Sequence, residues 1–280
     1  MAAMAPDSRW FSANPDKAWG EKLFLSFVPV FIAFNLVVQK MGWLDTGNFW
    51  NVVQNLAMWV PYLLLLPWWL RRHSGVVWHE SYWFKVNVYM AVYVFFGTYF
   101  HTEWFFTGLG LRYHFPAVTW YFDSALCGPD QATALARQQR IPLGMYFNTM
   151  AFFVVYHTLA VVLMRRVRVL TSGWGPAARR AGWAGIVAVT AIFFAWLETF
   201  LYVTPDISKF VYYVDKARML SEGTSLYMLY FFVSFPNFYR LDESREGRWT
   251  LKGCVVQASF VSIWILLLID LWVHVHGRIA

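Results

Sequence analysis

Residues Gly253–Val275 read GCVVQASFVSIWILLLIDLWVHV, a long apolar run whose only formally charged residue is Asp270. About 20 apolar residues at a rise of about 1.5 Å each cross the hydrocarbon core of a bilayer, so this run reads as a membrane-spanning helix. Six further segments read the same way: Lys22–Gln39, Phe49–Leu70, Tyr82–Thr107, Leu143–Met164, Gly182–Val203 and Ser225–Tyr239. The last is short and contains Pro236, so the expected fold is an all-α polytopic membrane helix bundle with about seven transmembrane helices, six being possible. Pro29 and Pro61 fall inside spans, where neighbouring helices can satisfy the freed carbonyls. The expected organisation is a cytosolic segment over residues 1–21 and a transmembrane helical domain over 22–276. Long loops at 110–142 and 204–222 interrupt that domain and read as lids or binding elements.

Composition agrees. Of 280 residues, 59% are apolar and 21% aromatic, and only 14% are charged, against roughly 25% charged in a soluble domain. A soluble globule of this size could not cover so much apolar surface with so few charges. The net charge of +7 lies in arginines beside hydrophobic segments rather than in basic runs, which disfavours nucleic acid as a partner. Cys127 and Cys254 are far apart and suggest neither a disulfide framework nor a zinc site. Residues 1–20 lack the apolar core of a cleavable signal, so the first span is expected to direct insertion. The N-terminus and the second, fourth and sixth loops carry about 14 Lys and Arg, and the other side about eight. The N-terminus is therefore expected in the cytosol and the C-terminus across the membrane.

An ionisable side chain within such a span costs about 2.5–3.5 kcal/mol even on mild scales and so is a functional candidate. Four stand out: Glu103, His157, Glu198 and Asp270. From the helical rise, Glu103 lies about 12 Å, Glu198 about 7 Å and Asp270 about 9 Å from mid-span, all displaced toward the C-terminal side of the membrane. His157 lies about 6 Å to the other side. A shared depth suggests one site between helices. Phe96, Tyr99 and Phe100 share the helical face of Glu103, and a carboxyl group among aromatics favours its neutral form. Their π-faces suit a cation. On a regular helix His101 lies about 200° from Glu103, so only one of the two is expected to face inward.

Each candidate also has a structural reading. Asp270 can pair with His274 at i+4, and His157 can bond one helix to another. The aromatic stripes can be packing or an interfacial belt. Asp242 and Glu243, beside Arg240 and Arg245, read as a solvated cap with loop salt bridges. The seven histidines form no HxxxH or HxxHH box, and no P-loop, dinucleotide fingerprint or GxSxG is present. No lysine occupies the middle of the last span. What remains is acid/base chemistry on an apolar substrate without a bound cofactor or metal. The alternatives are a proton-coupled transporter and a membrane protein that binds an apolar ligand without catalysis. No internal repeat of the transporter kind is visible.

Several pieces together resemble one family. They are NPDKAWGE (Asn14–Glu21), YWFKVN (Tyr82–Asn87), LGLRYHFP (Leu109–Pro116), Tyr156-His157 followed by MRRVR, WLET (Trp196–Thr199), YYVDKA (Tyr212–Ala217), SFPNFYRLDE (Ser234–Glu243) and DLW (Asp270–Trp272). In order and spacing the chain resembles the cycloeucalenol cycloisomerase (cycloeucalenol–obtusifoliol isomerase) family. The resemblance implies an integral, multi-pass enzyme of the bacterial inner membrane or endoplasmic reticulum. Its reaction opens the 9β,19-cyclopropane ring of a sterol to a Δ8 sterol, with the sterol and the bilayer as partners. Such a reaction wants a buried acid, a base and a dry aromatic cavity. On this reading Glu103 and Glu198 are the acid/base candidates, Asp270 and Asp215 shape the field or relay protons, and His157 is a second base. Phe96, Tyr99, Phe100, Tyr202, Tyr212 and Tyr230 would line the cavity. The sequence departs from the family where residues 98–106 read TYFHTEWFF against a pattern similar to NYFWTHYFF, and Met150 stands at a further histidine position. If a family histidine carries the acid, either Glu103 takes that role here, the substrate differs, or the activity is lost.

Overall fold

The computed structural model describes residues 10–126, 128, 138–202, 204–244 and 246–279. The first helix, α1 (Pro15–Lys40), starts earlier than hydropathy suggests. Asn14 caps it by accepting from the Asp16 amide, and Pro15 stands where its missing N–H costs nothing. The second span is α2 (Asn48–Trp59), a π-helical turn at Val60–Leu65 and α3 (Leu66–Arg71). Pro61 removes one i→i−4 bond there, which fits the widened turn. The third span runs unbroken through α4 (Tyr82–Phe96), a π turn at Gly97–His101 and α5 (Thr102–Leu109). Then come β1 (Leu111–Tyr113), α6 (Leu143–Leu170), α7 (Pro176–Tyr202) and β2 (Val211–Tyr213). The short segment Ser225–Tyr239 belongs to a longer helical run. It starts with α8 (Lys216–Arg218), passes a π turn at Met219–Gly223 and continues as α9 (Thr224–Arg240). At about 1.5 Å per residue that run is about 37 Å long, enough to cross. The last helix is α10 (Leu251–His276), capped by Thr250.

Among the described residues five helices are long and apolar enough to cross a membrane in their own right. With the runs Tyr82–Leu109 and Lys216–Arg240 they make an all-α helical bundle of the kind multi-pass membrane proteins have. In α6, 78% of the most apolar stretch is buried inside the protein, against 28–39% in the other four, so α6 is the hub. It packs on α1, α2, α4, α7 and α9, and α10 lies against α4 and α9. Large apolar side chains such as Ile32, Trp69, Phe193 and Leu267 point outward, as lipid-facing positions do.

The two long loops meet. β1 and β2 pair antiparallel, with Leu111 opposite Tyr213 and Arg112 opposite Tyr212, and His114 and Val214 extend the ladder. This ribbon covers the C-terminal ends of α5 and α7.

At the opposite end the bundle is locked by buried charge. Lys17, fully buried, donates to the carbonyls of Tyr239 and Leu241 (both 2.7 Å) and pairs with Glu243 (3.0 Å). Arg165 holds Glu21 (2.7 Å) and Glu243 (2.6 Å), each through two nitrogens. Lys85 pairs with Asp242 (2.8 Å), and Asp16 pairs with Arg71 (2.7 Å). The expectation of a solvated cap at Asp242 and Glu243 is therefore corrected. Asp242 adopts φ 49°, which turns the chain back after α9 and aims both carboxylates into the bundle. Burial raises the Glu243 pKa, but the Arg165 hydrogen bonds and the Lys17 charge outweigh it and hold the group below its ordinary value of 4.5.

Candidate active site

A small cavity of about 50 Å³ lies beneath the ribbon. The hub helix α6 contributes Met145, Thr149, Phe152 and Phe153, and the third span contributes Thr98, Thr102 and Phe105. Tyr227 and Tyr230 come from α9, and Glu198 from the last turn but one of α7. The ribbon contributes Leu111, Tyr113 and Tyr213, which share one face because side chains alternate along a strand and Leu111 is opposite Tyr213.

Glu198 is the one carboxyl group on these walls among the described residues. It is 6% exposed and accepts a hydrogen bond from the Tyr227 hydroxyl, with Tyr156 within electrostatic reach. The neighbouring Thr199 turns its hydroxyl to the Ala195 carbonyl (3.0 Å), and Tyr213 reaches Thr199. Tyr230 packs edge-on to Tyr227 (5.4 Å) and Phe105 (5.7 Å) and stacks on Phe153 (6.4 Å). One hydrogen-bonded phenol, a second phenol within electrostatic reach and several ring faces thus surround one acid.

The other sequence candidates sit elsewhere. Glu103 is 4% exposed and its Oε1 has no hydrogen-bond partner among the described residues, yet it does not line this cavity. It faces the 110–142 loop within electrostatic reach of Asp123, which itself pairs with Arg140 and accepts from the Ile141 amide (2.6 Å). The expectation that only one of Glu103 and His101 turns inward is corrected, since His101 is fully buried as well. Its Nε2 donates to the Ser262 carbonyl (3.1 Å), while Nδ1 has no partner among the described residues. The π turn adds a residue ahead of α5, and the helix is enclosed by α10 on one side and the loop on the other.

Asp270 is exposed on the outer face of α10, without an ion pair to His274 among the described residues. It does not join the other acids, because depth along a helix does not fix direction around it. Asp215 is half-buried and caps α8 by accepting from the Arg218 amide (2.9 Å). His157 is sealed by Tyr93, Phe235 and Phe238. Its Nδ1 donates to the Phe153 carbonyl (2.8 Å), which leaves Nε2 to accept from Ser234 (2.9 Å), so it pins α6 to α9.

Among the aromatics, Tyr230 lines the cavity. Tyr99 stacks on Phe95 (5.2 Å) and Phe96 packs on Phe100 (5.6 Å) along the flank of α4, off the cavity. Tyr212 points to the ribbon face opposite Tyr213. The side chain of Tyr202 lies outside the described residues.

Sequence reasoning missed Tyr113, Tyr156, Tyr213 and Tyr227. The signal for Tyr227 was its i−3 spacing from Tyr230, which puts both on one face of α9. Tyr113 and Tyr213 needed the ribbon pairing. Among the described residues no three His, Cys, Asp or Glu side chains are grouped to hold a metal ion.

No protein-family model matches the chain, and neither does any solved structure. The chain is similar to the protein named cycloeucalenol cycloisomerase of Arabidopsis thaliana, with 28% identity over 278 residues that cover 97% of this chain and 91% of that protein. The likeness to cycloeucalenol cycloisomerase thus runs the length of the chain, from the ion-paired helix ends to the cavity, and bears out the family resemblance carried by the separate motifs.

Proposed function

We propose that the protein is a membrane-embedded sterol isomerase that opens the 9β,19-cyclopropane ring of a cycloeucalenol-like sterol to give an obtusifoliol-like Δ8 sterol. Addition of a proton to C19 breaks the C9–C19 bond, turns C19 into a methyl group and leaves positive charge at C9. Loss of the C8 proton then forms the double bond. The two proton transfers cancel, so the reaction is an intramolecular lyase-type isomerisation without an oxidant or reductant.

Glu198 is the group assigned to deliver the proton. Its carboxylate, held by the Tyr227 hydroxyl, is then the base for the C8 proton, since no second carboxyl lines the cavity among the described residues. The faces of Tyr230, Phe105 and Phe153 stabilise the cationic stage, and the bound sterol itself fills the space from which water could capture it. The observation that carries the reading is this isolated acid among phenols and rings, in a chain similar from end to end to a named cycloisomerase.

The cavity is far smaller than the roughly 300–1,000 Å³ of ordinary ligand pockets, so the walls must part to admit a tetracycle. Met145 also borders a second cavity of about 90 Å³ that contains the amides of Asn51, Asn55 and Asn148. A swing of this flexible side chain joins the two spaces and sets the amides toward the sterol hydroxyl.

The test is conversion of cycloeucalenol by membranes in D2O. The wild type should incorporate deuterium at C19. Glu198→Gln should fall at least about 100-fold while retaining its thermal unfolding profile, the loss typical of a missing general acid or base. Full activity in that variant removes Glu198 from the reaction, and failure of the wild type to convert the sterol removes the reaction itself.

A further inference from the structure

A second, much larger opening lies at the ion-paired end of the bundle, remote from the tyrosine cavity. It is a cleft of about 1430 Å³ between the C-terminal ends of α6 and α9 and the N-terminal end of α7. Five arginines border it: Arg165 and Arg168 from α6, Arg179 and Arg180 from α7, and Arg240 from α9. Among the described residues the single carboxylate on its walls, Glu243, is already taken by Arg165 and Lys17. Arg168 rests its guanidinium over Tyr239 (5.8 Å). Among the described residues no carboxylate pairs with Arg179, Arg180 or Arg240, although all three are exposed. Between the arginines the walls carry the apolar side chains of Phe11, Val169, Trp183 and Pro236 together with the hydroxyls of Thr171, Ser172 and Ser244.

Topology alone asks only that positive charge be present on one side of a membrane. It does not ask for guanidinium groups from three helices around one cleft with partly apolar walls. Arginine presents a planar fork that matches phosphate oxygens, and the first turn of α7 adds the positive end of a helix dipole to the same rim. Partly apolar walls beneath a cationic rim suit a molecule that is anionic at one end and hydrocarbon at the other.

We propose that this cleft binds the phosphate group of an anionic amphiphile, with Arg168, Arg179, Arg180 and Arg240 as its donors. An anionic phospholipid headgroup and a free phosphate share this chemistry. The site is independent of the reaction proposed above and is tested without it.

The experiment compares detergent-solubilised full-length protein with the triple variant Arg179→Gln/Arg180→Gln/Arg240→Gln. A charge-matched control, Arg72→Gln/Lys252→Gln/Arg278→Gln, changes exposed cations outside the cleft. Thermal unfolding and native mass spectrometry are read with added phosphatidic acid, phosphatidylcholine or inorganic phosphate. Phosphatidic acid should raise the unfolding temperature of the wild type and of the control above the value in phosphatidylcholine. The cleft variant should unfold as the wild type does in phosphatidylcholine and should bind phosphatidic acid at least about tenfold more weakly, the scale of one lost charge-assisted hydrogen bond or more. A comparable effect of inorganic phosphate alone supports the site and assigns it to the free anion. Equal effects of phosphatidic acid and phosphatidylcholine with no effect of inorganic phosphate, or equal loss in the cleft variant and the control, overturn the proposal.

Discussion

At the scale of single residues, burial sorts the acids that hydropathy leaves equivalent. Glu198 is enclosed by phenols and Asp270 faces outward, although both lie in apolar helices at similar depth. Asp270→Asn is therefore expected to leave sterol conversion within about twofold of wild type, as surface changes usually do. Tyr227→Phe removes one hydrogen bond to a charged group, worth about 1.5–3 kcal/mol, and should slow conversion about tenfold or more. Both are read as initial rates in membranes at matched expression. A Tyr227→Phe rate equal to wild type breaks the link between that phenol and the acid. Met145→Trp should abolish conversion by fixing bulk between the two cavities, and its thermal unfolding separates this block from misfolding.

At the scale of elements, the π turn at Gly97–His101 sets which side chains of the third span reach the cavity. It carries one residue more than an α turn, so deleting Phe100 should restore α geometry and rotate Thr102 and Phe105 away from Thr98 by about 100°. We expect the deletion to lose conversion and Phe100→Ala to keep most of it, because Phe100 is off the cavity. Equal activities in the two variants count against a role for the turn. The seven spans were legible in hydropathy, as in Gly253–Val275. Their ends were not, because the caps at Asn14 and Thr250 and the π turns depend on local hydrogen bonds rather than on hydropathy. The two loops were legible as unusual, but their pairing as β1 and β2 joins positions about 100 residues apart, which no local pattern encodes.

At the scale of the whole molecule, the charged lock joins α1, α4, α6 and the turn after α9. The motifs NPDKAWGE, YWFKVN and SFPNFYRLDE all contribute to it, so much of what resembles the family holds the helix ends together. Removing one partner strands the other, and Arg165→Met is expected to destabilise the protein by about 3–5 kcal/mol in denaturant or thermal unfolding. The pH dependence follows from Glu243. Its folded pKa lies below 4.5, so its contribution is present above that value and is lost as pH falls through the folded pKa. The unfolding temperature of detergent-solubilised protein should drop on acidification from pH 6 to pH 4, and Glu243→Gln should flatten that dependence. An unchanged slope in the variant shows that other groups carry it.

The sequence by itself determined that the chain is a bundle of membrane helices, because transfer of apolar residues into a bilayer is nearly additive along the chain. It also placed Glu103, Glu198 and Asp270 within those helices and suggested similar depths for them, since helical rise is fixed by backbone geometry. Only the tertiary structure decided that Glu198 meets Tyr227 and Tyr156 while Asp270 faces outward and Asp215 caps a helix. Direction around a helix axis, pairing between distant loops and the choice of partner for a buried charge are set by which faces pack together, and those contacts join residues far apart in the chain.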